Sequence, residues 1–335
     1  MYNLSYVLTT YNKLPYLRHT LERLVAARMP DEEIVVCDGG SKDGTPAYLQ
    51  GLFDAGQIQQ FVSEPDKGEA HGFNKGFLRA KGQLLKLVTD DDAFSYSAIR
   101  EAKQFMLDNP QVDVLTGNTG LIHMEELESV SFYDDVADNF RRWLATKEVV
   151  WMIGLPLMIR RESLAITGLL HTGAVQVDTE FTYRITSLNV NLAWSTAVIS
   201  VRLENPQSNF RVMNQGGKGR LASDEEADRI RYHYDKSYGS LKDLLGQRLP
   251  ISLDWLKKPL RPVKRAVFSL LKRPQYVGNT TTKTGYVASA AIPDDAARIA
   301  IAYQVADDFM ATYNAAHPTE FLFKRNEITK ALHSS

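Results

Sequence analysis

Residues 4–40 read LSYVLTTYNKLPYLRHTLERLVAARMPDEEIVVCDGG. The stretch opens with a short β-rich run at 4–9, continues with apolar residues at helical spacing over 14–25, and returns to a β-rich run at 33–37. A strand, a helix and a second strand in this order predict a βαβ unit with two parallel strands. The opening of the chain therefore predicts an α/β fold.

The same alternation continues to about residue 120. Further helices are expected at 45–53 and 70–80, and further strands at 58–62 and 84–89. This alternation predicts a mostly parallel sheet flanked by helices, in which ligands bind where the strands end. Polar loops follow the four predicted strands at 9–12, 38–45, 64–68 and 90–92. We expect these loops to meet at one edge of the sheet.

The pattern is less regular after residue 120. It predicts helices at 136–144 and 179–188, a strand at 193–201 and a last helix that begins at 293–295. We expect a first domain at 1–215, a helical extension with a basic amphipathic segment at 216–276, and a linker with a C-terminal helix at 277–335.

The composition suits a globular chain without a nucleic-acid partner. The 335 residues are 44% hydrophobic, and the net charge is -1. The single cysteine, Cys37, lies in an apolar run, so we expect a buried thiol, no intrachain disulfide and a reducing, cytoplasmic location. Neither a signal peptide nor an apolar run long enough to span a bilayer is visible.

The motifs that are missing narrow the chemistry. The sequence has no dinucleotide-binding glycine fingerprint, no P-loop and no zinc-type spacing of cysteine and histidine. What remains is an edge rich in carboxylates, with KLVTDDDAF at residues 86–94. Three adjacent aspartates are either a solvated loop or ligands for a hard cation, Mn²⁺ or Mg²⁺, that bridges to phosphate oxygens.

Taken together, the loops resemble the nucleotide-sugar-binding half of the family 2 glycosyltransferases, which are inverting enzymes with the GT-A fold. The segments that carry the resemblance are SYVLTTYN at 5–12, VVCDGGSKDGT at 35–45, SEPDKG at 63–68, NKG at 74–76, KG at 81–82 and TDDD at 89–92. The resemblance covers residues 4 to about 210. It implies a GT-A fold, that is, a Rossmann-like α/β sheet, with a helical C-terminal extension.

The resemblance also implies a nucleotide-binding role for Thr9, Tyr11, Asp38, Asp66, Lys67 and Asp90. Asp38 stands where the family contacts the base, although an Asp-Gly-Gly sequence also forms turns. Asp66 and Lys67 are candidates for the ribose or base, or belong to a solvated loop. Asp90 is a candidate for the ribose or for the metal.

The metal ligand implied by the resemblance is Asp91. Thr89 replaces the first acid of the family's Asp-x-Asp motif, and Asp90 adds a second candidate ligand. Glu204 stands where the family often has a histidine near the metal, and it is either a further ligand or a structural residue.

The implied catalytic base is Asp178. It lies at the predicted start of a helix, as the family's catalytic aspartate does, but Val177 replaces the glutamate that usually precedes it. Glu180 is a second candidate base, or an acid favoured by the helix dipole.

The resemblance therefore implies an inverting glycosyltransferase that moves a sugar from a nucleotide-diphosphate donor, expected to be a UDP-sugar, to a hydroxyl of a glycan or lipid-linked glycan. A sugar nucleotidyltransferase and a catalytically silent nucleotide-sugar-binding module are the alternatives.

The basic segment at 255–273 either holds the protein at an anionic membrane surface, on the cytoplasmic face, or packs as a helix with a solvated basic side. The C-terminal helices are candidates for a homo-oligomer contact.

Overall fold

The computed structural model describes residues 2–206, 208, 217–235, 281–284 and 294–323. The basic segment at 255–273 lies outside these residues, as do the expected domain boundaries at 215–216 and 276–277. The membrane contact and the division into domains therefore stay predictions.

Eleven strands form a single mixed sheet in the described part of the chain. They are β1 Leu4–Thr10, β2 Glu32–Asp38, β3 Gln60–Ser63, β4 Leu84–Val88, β5 Ala93–Phe94, β6 Val114–His123, β7 Glu126–Phe132, β8 Met158–Arg160, β9 Leu192–Glu204, β10 Thr281–Lys283 and β11 Phe321–Phe323.

The helices that flank the sheet are α1 Leu14–Ala27, α2 Thr45–Asp54, α3 Glu69–Arg79, α4 Tyr96–Asp108, α5 Asp134–Thr146, α6 Leu164–Thr167, α7 Val177–Ser187, α8 Gly217–Tyr234 and α9 Asp295–Ala316, with a 3₁₀ turn at Arg161–Ser163.

The sheet has the order β10-β7-β6-β8-β4-β1-β2-β3, and β9 pairs with β5, β6 and β11. The first four strands are parallel, as the sequence predicts. Most later pairs are antiparallel, although β6 and β9 run parallel. The short connection between β6 and β7 explains one of these antiparallel pairs, because so few residues cannot make the crossover that parallel strands require.

The parallel strands are buried on both faces. Every residue of β1, β2 and β4 is buried. Successive residues of β1 point to opposite sides, so that Leu8 packs in the cluster with Leu17 of α1, while Val7 packs in the cluster with Phe73 of α3. Helices therefore cover both faces of this part of the sheet, and its polar loops can only gather at the strand ends.

The C-terminal helix α9 packs against the sheet and α1. The hydroxyls of Tyr303 and Thr20 share a hydrogen bond of 2.7 Å, and Arg23 Nε lies 2.8 Å from Asp307 Oδ2. Asn314 accepts from the N–H of Val198 and donates to its carbonyl. These contacts join α9 to the same body as the N-terminal strands.

Cys37 is fully buried in β2, as expected, and burial raises the pKa of its thiol to about 11. None of the described helices combines the length and the apolar character that a bilayer crossing requires.

Candidate active site

A cleft of about 1090 Å³ opens where the parallel strands end. Of the candidate site residues, Thr9, Tyr11, Asp66, Asp90, Asp91, Asp178 and Glu204 line this cleft, whereas Asp38, Lys67 and Glu180 do not. The structure thus gathers one group of candidates around a single space and leaves three outside its walls. Lys13 and Arg202, which were not predicted, also line the cleft.

The aspartates that follow β4 hold a lysine. Lys13, from the loop after β1, places Nζ 2.6 Å from Asp91 Oδ2 and 3.7 Å from Asp90 Oδ1. Asn205 Nδ2 also donates to Asp91 Oδ2, at 2.9 Å. Burial lowers the pKa of Lys13, but the charges of Asp91 and Asp90 outweigh it and keep that pKa above its usual value. Lys13 is therefore a charged partner of the cluster.

Asp92 ties two strands together. Its carboxylate accepts hydrogen bonds from Thr89 Oγ1 at 2.6 Å and from the N–H of Leu203 at 2.9 Å, so that it connects the end of β4 to β9. Burial raises the pKa values of both Asp90 and Asp92, and the charge of Asp91 raises them further. The buried carboxylates of the cluster thus repel one another, and a bound cation reduces this repulsion.

The donor set fits a divalent cation that also uses phosphate oxygens. Asp91 and Asp90, the candidate metal ligands, already hold one cation, the Lys13 ammonium. Magnesium and manganese are commonly held by one or two carboxylates together with substrate phosphates and water. Within the described residues, no three His, Cys, Asp or Glu side chains form a metal-binding group. Glu204 instead lies 3.4 Å from His123 Nδ1.

Asp38 closes the turn after β2. Its carboxylate accepts from Ser41 N, from Ser41 Oγ at 2.5 Å and from Ser63 Oγ at 2.6 Å, and the residue is fully buried. These are the contacts of a turn-forming aspartate, the alternative that the sequence left open. Its contact with a nucleotide base stays a prediction.

The loop after β3 packs closely on this turn. Asp66 Oδ1 accepts from the N–H of Gly68 at 2.9 Å, and a Cβ on Gly39 would lie 3.0 Å from Asp66 Oδ2. A glycine at position 39 therefore lets the two loops approach. Tyr11 is 59% exposed in the cleft wall, while the side chain of Lys67 is exposed outside it.

Asp178 enters the cleft from the first turn of α7. Its Oδ1 accepts from the N–H of Thr179 at 2.8 Å, and its Oδ2 accepts from the N–H of Gly154 at 3.3 Å. A Cβ on Gly154 would lie 2.6 Å from the Cβ of Asp178, so glycine is needed for this approach. Burial raises the pKa of Asp178, which makes the carboxylate a stronger proton acceptor.

Glu180 faces a different set of partners. One carboxylate oxygen lies 2.9 Å from Arg184 Nη2, and the other accepts from the Tyr234 hydroxyl at 2.5 Å. The ion pair and the hydrogen bond lie outside the cleft lining. Glu180 thereby connects α7 to α8.

Two basic residues at the site, Lys13 and Arg202, could hardly be recognised from the sequence. Lys13 directly follows the Thr-Thr-Tyr-Asn segment, and only the parallel register of β1 and β4 brings it to Asp91. Arg202 stands two residues before Glu204, and its Nη1 donates to the Tyr133 hydroxyl at 3.5 Å. A guanidinium in the wall of a cleft is well suited to bind phosphate.

The comparison with known families agrees with this arrangement. The family model described as "Glycosyl transferase family 2" matches residues 5–163. This part of the chain belongs to that family. The matched residues contain the first four strands and the aspartate cluster, so the resemblance seen in the loops is confirmed.

Curated relatives of this family 2 domain match over part of their length. An uncharacterized glycosyltransferase of Mycobacterium tuberculosis is 31% identical over 148 residues, which are 44% of this chain and 55% of the relative. The poly-beta-1,6-N-acetyl-D-glucosamine synthase of Staphylococcus epidermidis is 29% identical over 121 residues, 34% of this chain and 28% of the relative. The chain thus spans about half the length of the first relative and less of the second.

A solved structure shares the fold over most of the chain. A mannosyltransferase from Pyrobaculum calidifontis, in complex with GDP-Man and Mn²⁺, superposes with a TM-score of 0.56 at 16% identity, covering 94% of this chain and 85% of the other. The expected fold, a central sheet flanked by helices with a C-terminal helical segment, is confirmed.

Proposed function

We propose that the protein is an inverting glycosyltransferase that moves a sugar from a nucleotide-diphosphate donor, expected to be a UDP-sugar, to a hydroxyl of a glycan or lipid-linked glycan. The observation that carries the proposal is the cleft itself: a cation-holding pair, Asp90 and Asp91, lies in its wall together with a separately held carboxylate, Asp178. The name of the Staphylococcus relative, a polysaccharide synthase, supports a glycan acceptor.

The diphosphate of the donor belongs at the aspartate cluster. Asp91 and Asp90 would hold Mn²⁺ or Mg²⁺, which when bound stabilises the negative charge of the leaving diphosphate. Lys13 and Arg202 add positive charge in the same cleft and attract the phosphates. The loops of Thr9, Tyr11 and Asp66 would then surround the nucleoside, with Asp38 bracing the turn behind them.

The acceptor hydroxyl belongs at Asp178. The two backbone N–H groups of Gly154 and Thr179 hold its carboxylate in one orientation, and its raised pKa suits proton removal. A hydroxyl that loses its proton to Asp178 attacks the anomeric carbon from the side opposite the diphosphate. One displacement of this kind inverts the configuration of that carbon.

The test is turnover by the purified chain. UDP-, GDP- and dTDP-sugars are incubated with Mn²⁺ and a panel of bacterial oligosaccharides, and release of nucleoside diphosphate is measured. We expect release from one nucleotide class, dependent on the acceptor and lost with EDTA. Binding of a nucleotide sugar without release under any condition would instead identify a silent binding module. Pyrophosphate release from a nucleoside triphosphate and a sugar phosphate would identify a nucleotidyltransferase.

A further inference from the structure

A second cavity, of about 750 Å³, lies between α5, α9 and the strands β6, β7 and β10; we name it the C-terminal groove. Its aromatic lining consists of Phe132, Tyr133, Phe309, Tyr313 and His317. The Phe132 ring centre lies 5.1 Å from that of Tyr313 and 5.4 Å from that of Phe309, and His317 stacks on Tyr313 at 4.1 Å. The four rings other than Tyr133 thus pack against one another as one wall.

Polar side chains surround this wall. Asp138 and Arg141 form an exposed ion pair of 3.0 Å, and Asp308 accepts a hydrogen bond from Gln304. The charged residues of the lining are two acids, Asp138 and Asp308, and two bases, Arg141 and Lys283. Equal numbers of acidic and basic residues do not favour a polyanion such as a nucleic acid. Four charged side chains also do not favour a protein partner, because charged side chains are depleted in the centre of protein interfaces.

Aromatic faces beside planar polar groups are the chemistry that recognises neutral sugars. The C–H faces of a pyranose pack on aromatic rings, while carboxylates, amides and guanidinium groups bond to its hydroxyls. The cavity volume falls within the range of small-molecule sites and leaves room for more than one sugar unit.

The groove adjoins the cleft at Tyr133. This residue lines both cavities, and its hydroxyl accepts a hydrogen bond from Arg202, which lies in the cleft wall. A ligand that extends from the groove past Tyr133 would therefore reach the cleft that contains Asp178.

We propose that the C-terminal groove binds a neutral oligosaccharide segment of the acceptor, at a distance from the hydroxyl that reacts. This inference rests on the proposed function and deepens it, because it makes the acceptor a chain of several sugars. Residues of α9 and β10 that line the groove lie beyond the residues matched to family 2, so the choice of acceptor chain would belong to the part of the protein outside that match.

The groove can be obstructed by a larger side chain while the aromatic residues that line it are left in place. Ala316 is exposed at the end of α9 and lines the groove, whereas its exposed neighbour Ala315 does not. Ala316→Trp should therefore obstruct the groove, and Ala315→Trp is the matched control. The full chain and both variants are applied to an array of neutral bacterial oligosaccharides, and their melting temperatures and affinities for UDP and GDP are measured.

We expect the unaltered chain and Ala315→Trp to bind at least one oligosaccharide, and Ala316→Trp to bind it at least tenfold more weakly, with unchanged melting and nucleotide affinity. Absence of glycan binding by the unaltered chain, or equal binding by the two variants, would contradict oligosaccharide binding in the groove. In another outcome, the unaltered chain binds a glycan and Ala316→Trp loses that binding, yet no nucleoside diphosphate is released in the turnover test. This result would contradict the acceptor role and the proposed function, but not glycan binding in the groove.

Discussion

Two regions of the candidate active site hold an aspartate in different surroundings. Asp91 contacts the ammonium of Lys13 and the amide of Asn205, whereas Asp178 accepts hydrogen bonds from two backbone N–H groups. The first environment suits a carboxylate that holds a cation. In the second, burial raises the pKa of Asp178 although the two hydrogen bonds lower it, and the net increase suits a carboxylate that takes a proton. The neighbours of an aspartate, more than its residue type, set its task.

The largest effect is expected for Asp178→Asn. The change keeps the shape of the side chain and removes the proton acceptor, so we expect release of nucleoside diphosphate to slow by about 10² to 10⁴-fold. The affinity for the nucleotide should be unchanged, because the aspartate cluster is intact. Initial rates and nucleotide titrations on the same preparation measure both quantities. A variant that turns over normally would remove Asp178 from the mechanism.

Lys13→Met tests the other region. The variant leaves the buried carboxylates of Asp90 and Asp91 without their ammonium, and breaking a buried pair in this way costs about 3–5 kcal/mol. Added Mn²⁺ should raise the melting temperature of the variant more than that of the unaltered protein, since it binds the released carboxylates.

The control for Lys13→Met is Lys42→Met, because Lys42 is exposed on the neighbouring loop. Chemical denaturation without metal, followed by melting in Mn²⁺, measures both effects. Equal stability of the two methionine variants would show that the Lys13 pair contributes nothing.

Glu180→Gln tests whether Glu180, the second candidate, is the catalytic base. It weakens the contacts with Arg184 and Tyr234, and we expect a loss of about 1–3 kcal/mol in the free energy of unfolding. Turnover should stay within a few-fold, because this carboxylate lies outside the cleft lining. Urea denaturation and initial rates distinguish the two effects. An inactive but stable Glu180→Gln, beside an active Asp178→Asn, would exchange the two roles.

The last effect is the titration of Lys86, which contacts the loop that holds Asp178. Its Nζ donates to the carbonyl oxygens of Leu87 and Leu155, next to the Gly154 that holds Asp178. Burial lowers the Lys86 pKa to about 7, while an unfolded lysine titrates near 10.4. Between these values the unfolded chain binds more protons, so stability rises with pH, by at most about 1.4 kcal/mol per unit.

The Lys86 effect is measured against Lys86→Met, which cannot titrate at this position. Urea denaturation of both proteins at pH 7, 8 and 9 gives the difference in unfolding free energy, which should change in favour of the lysine as the pH rises. A difference that stays constant with pH would mean that Lys86 has an ordinary pKa in the folded protein.

Features that depend on neighbouring residues could be predicted from the sequence, whereas features that depend on contacts between distant residues could not. The strands β1 to β4 and their polar loops were visible because alternation and turn residues are local signals. Strands of two or three residues, such as β5 and β8, are too short to give a pattern. The partners of the carboxylates depend on pairings across the fold: Lys13 lies 78 residues from Asp91, and Tyr234 lies 54 residues from Glu180.

The hydrogen bond between Thr20 and Tyr303 has a consequence for how the chain is made. The two residues are 283 positions apart, and a ribosome adding roughly 5–20 residues per second delivers Tyr303 tens of seconds after Thr20. During that interval α1 has emerged without the helix that covers it. We expect the nascent chain to bind chaperones through this uncovered face, and to release them only when α9 arrives and docks.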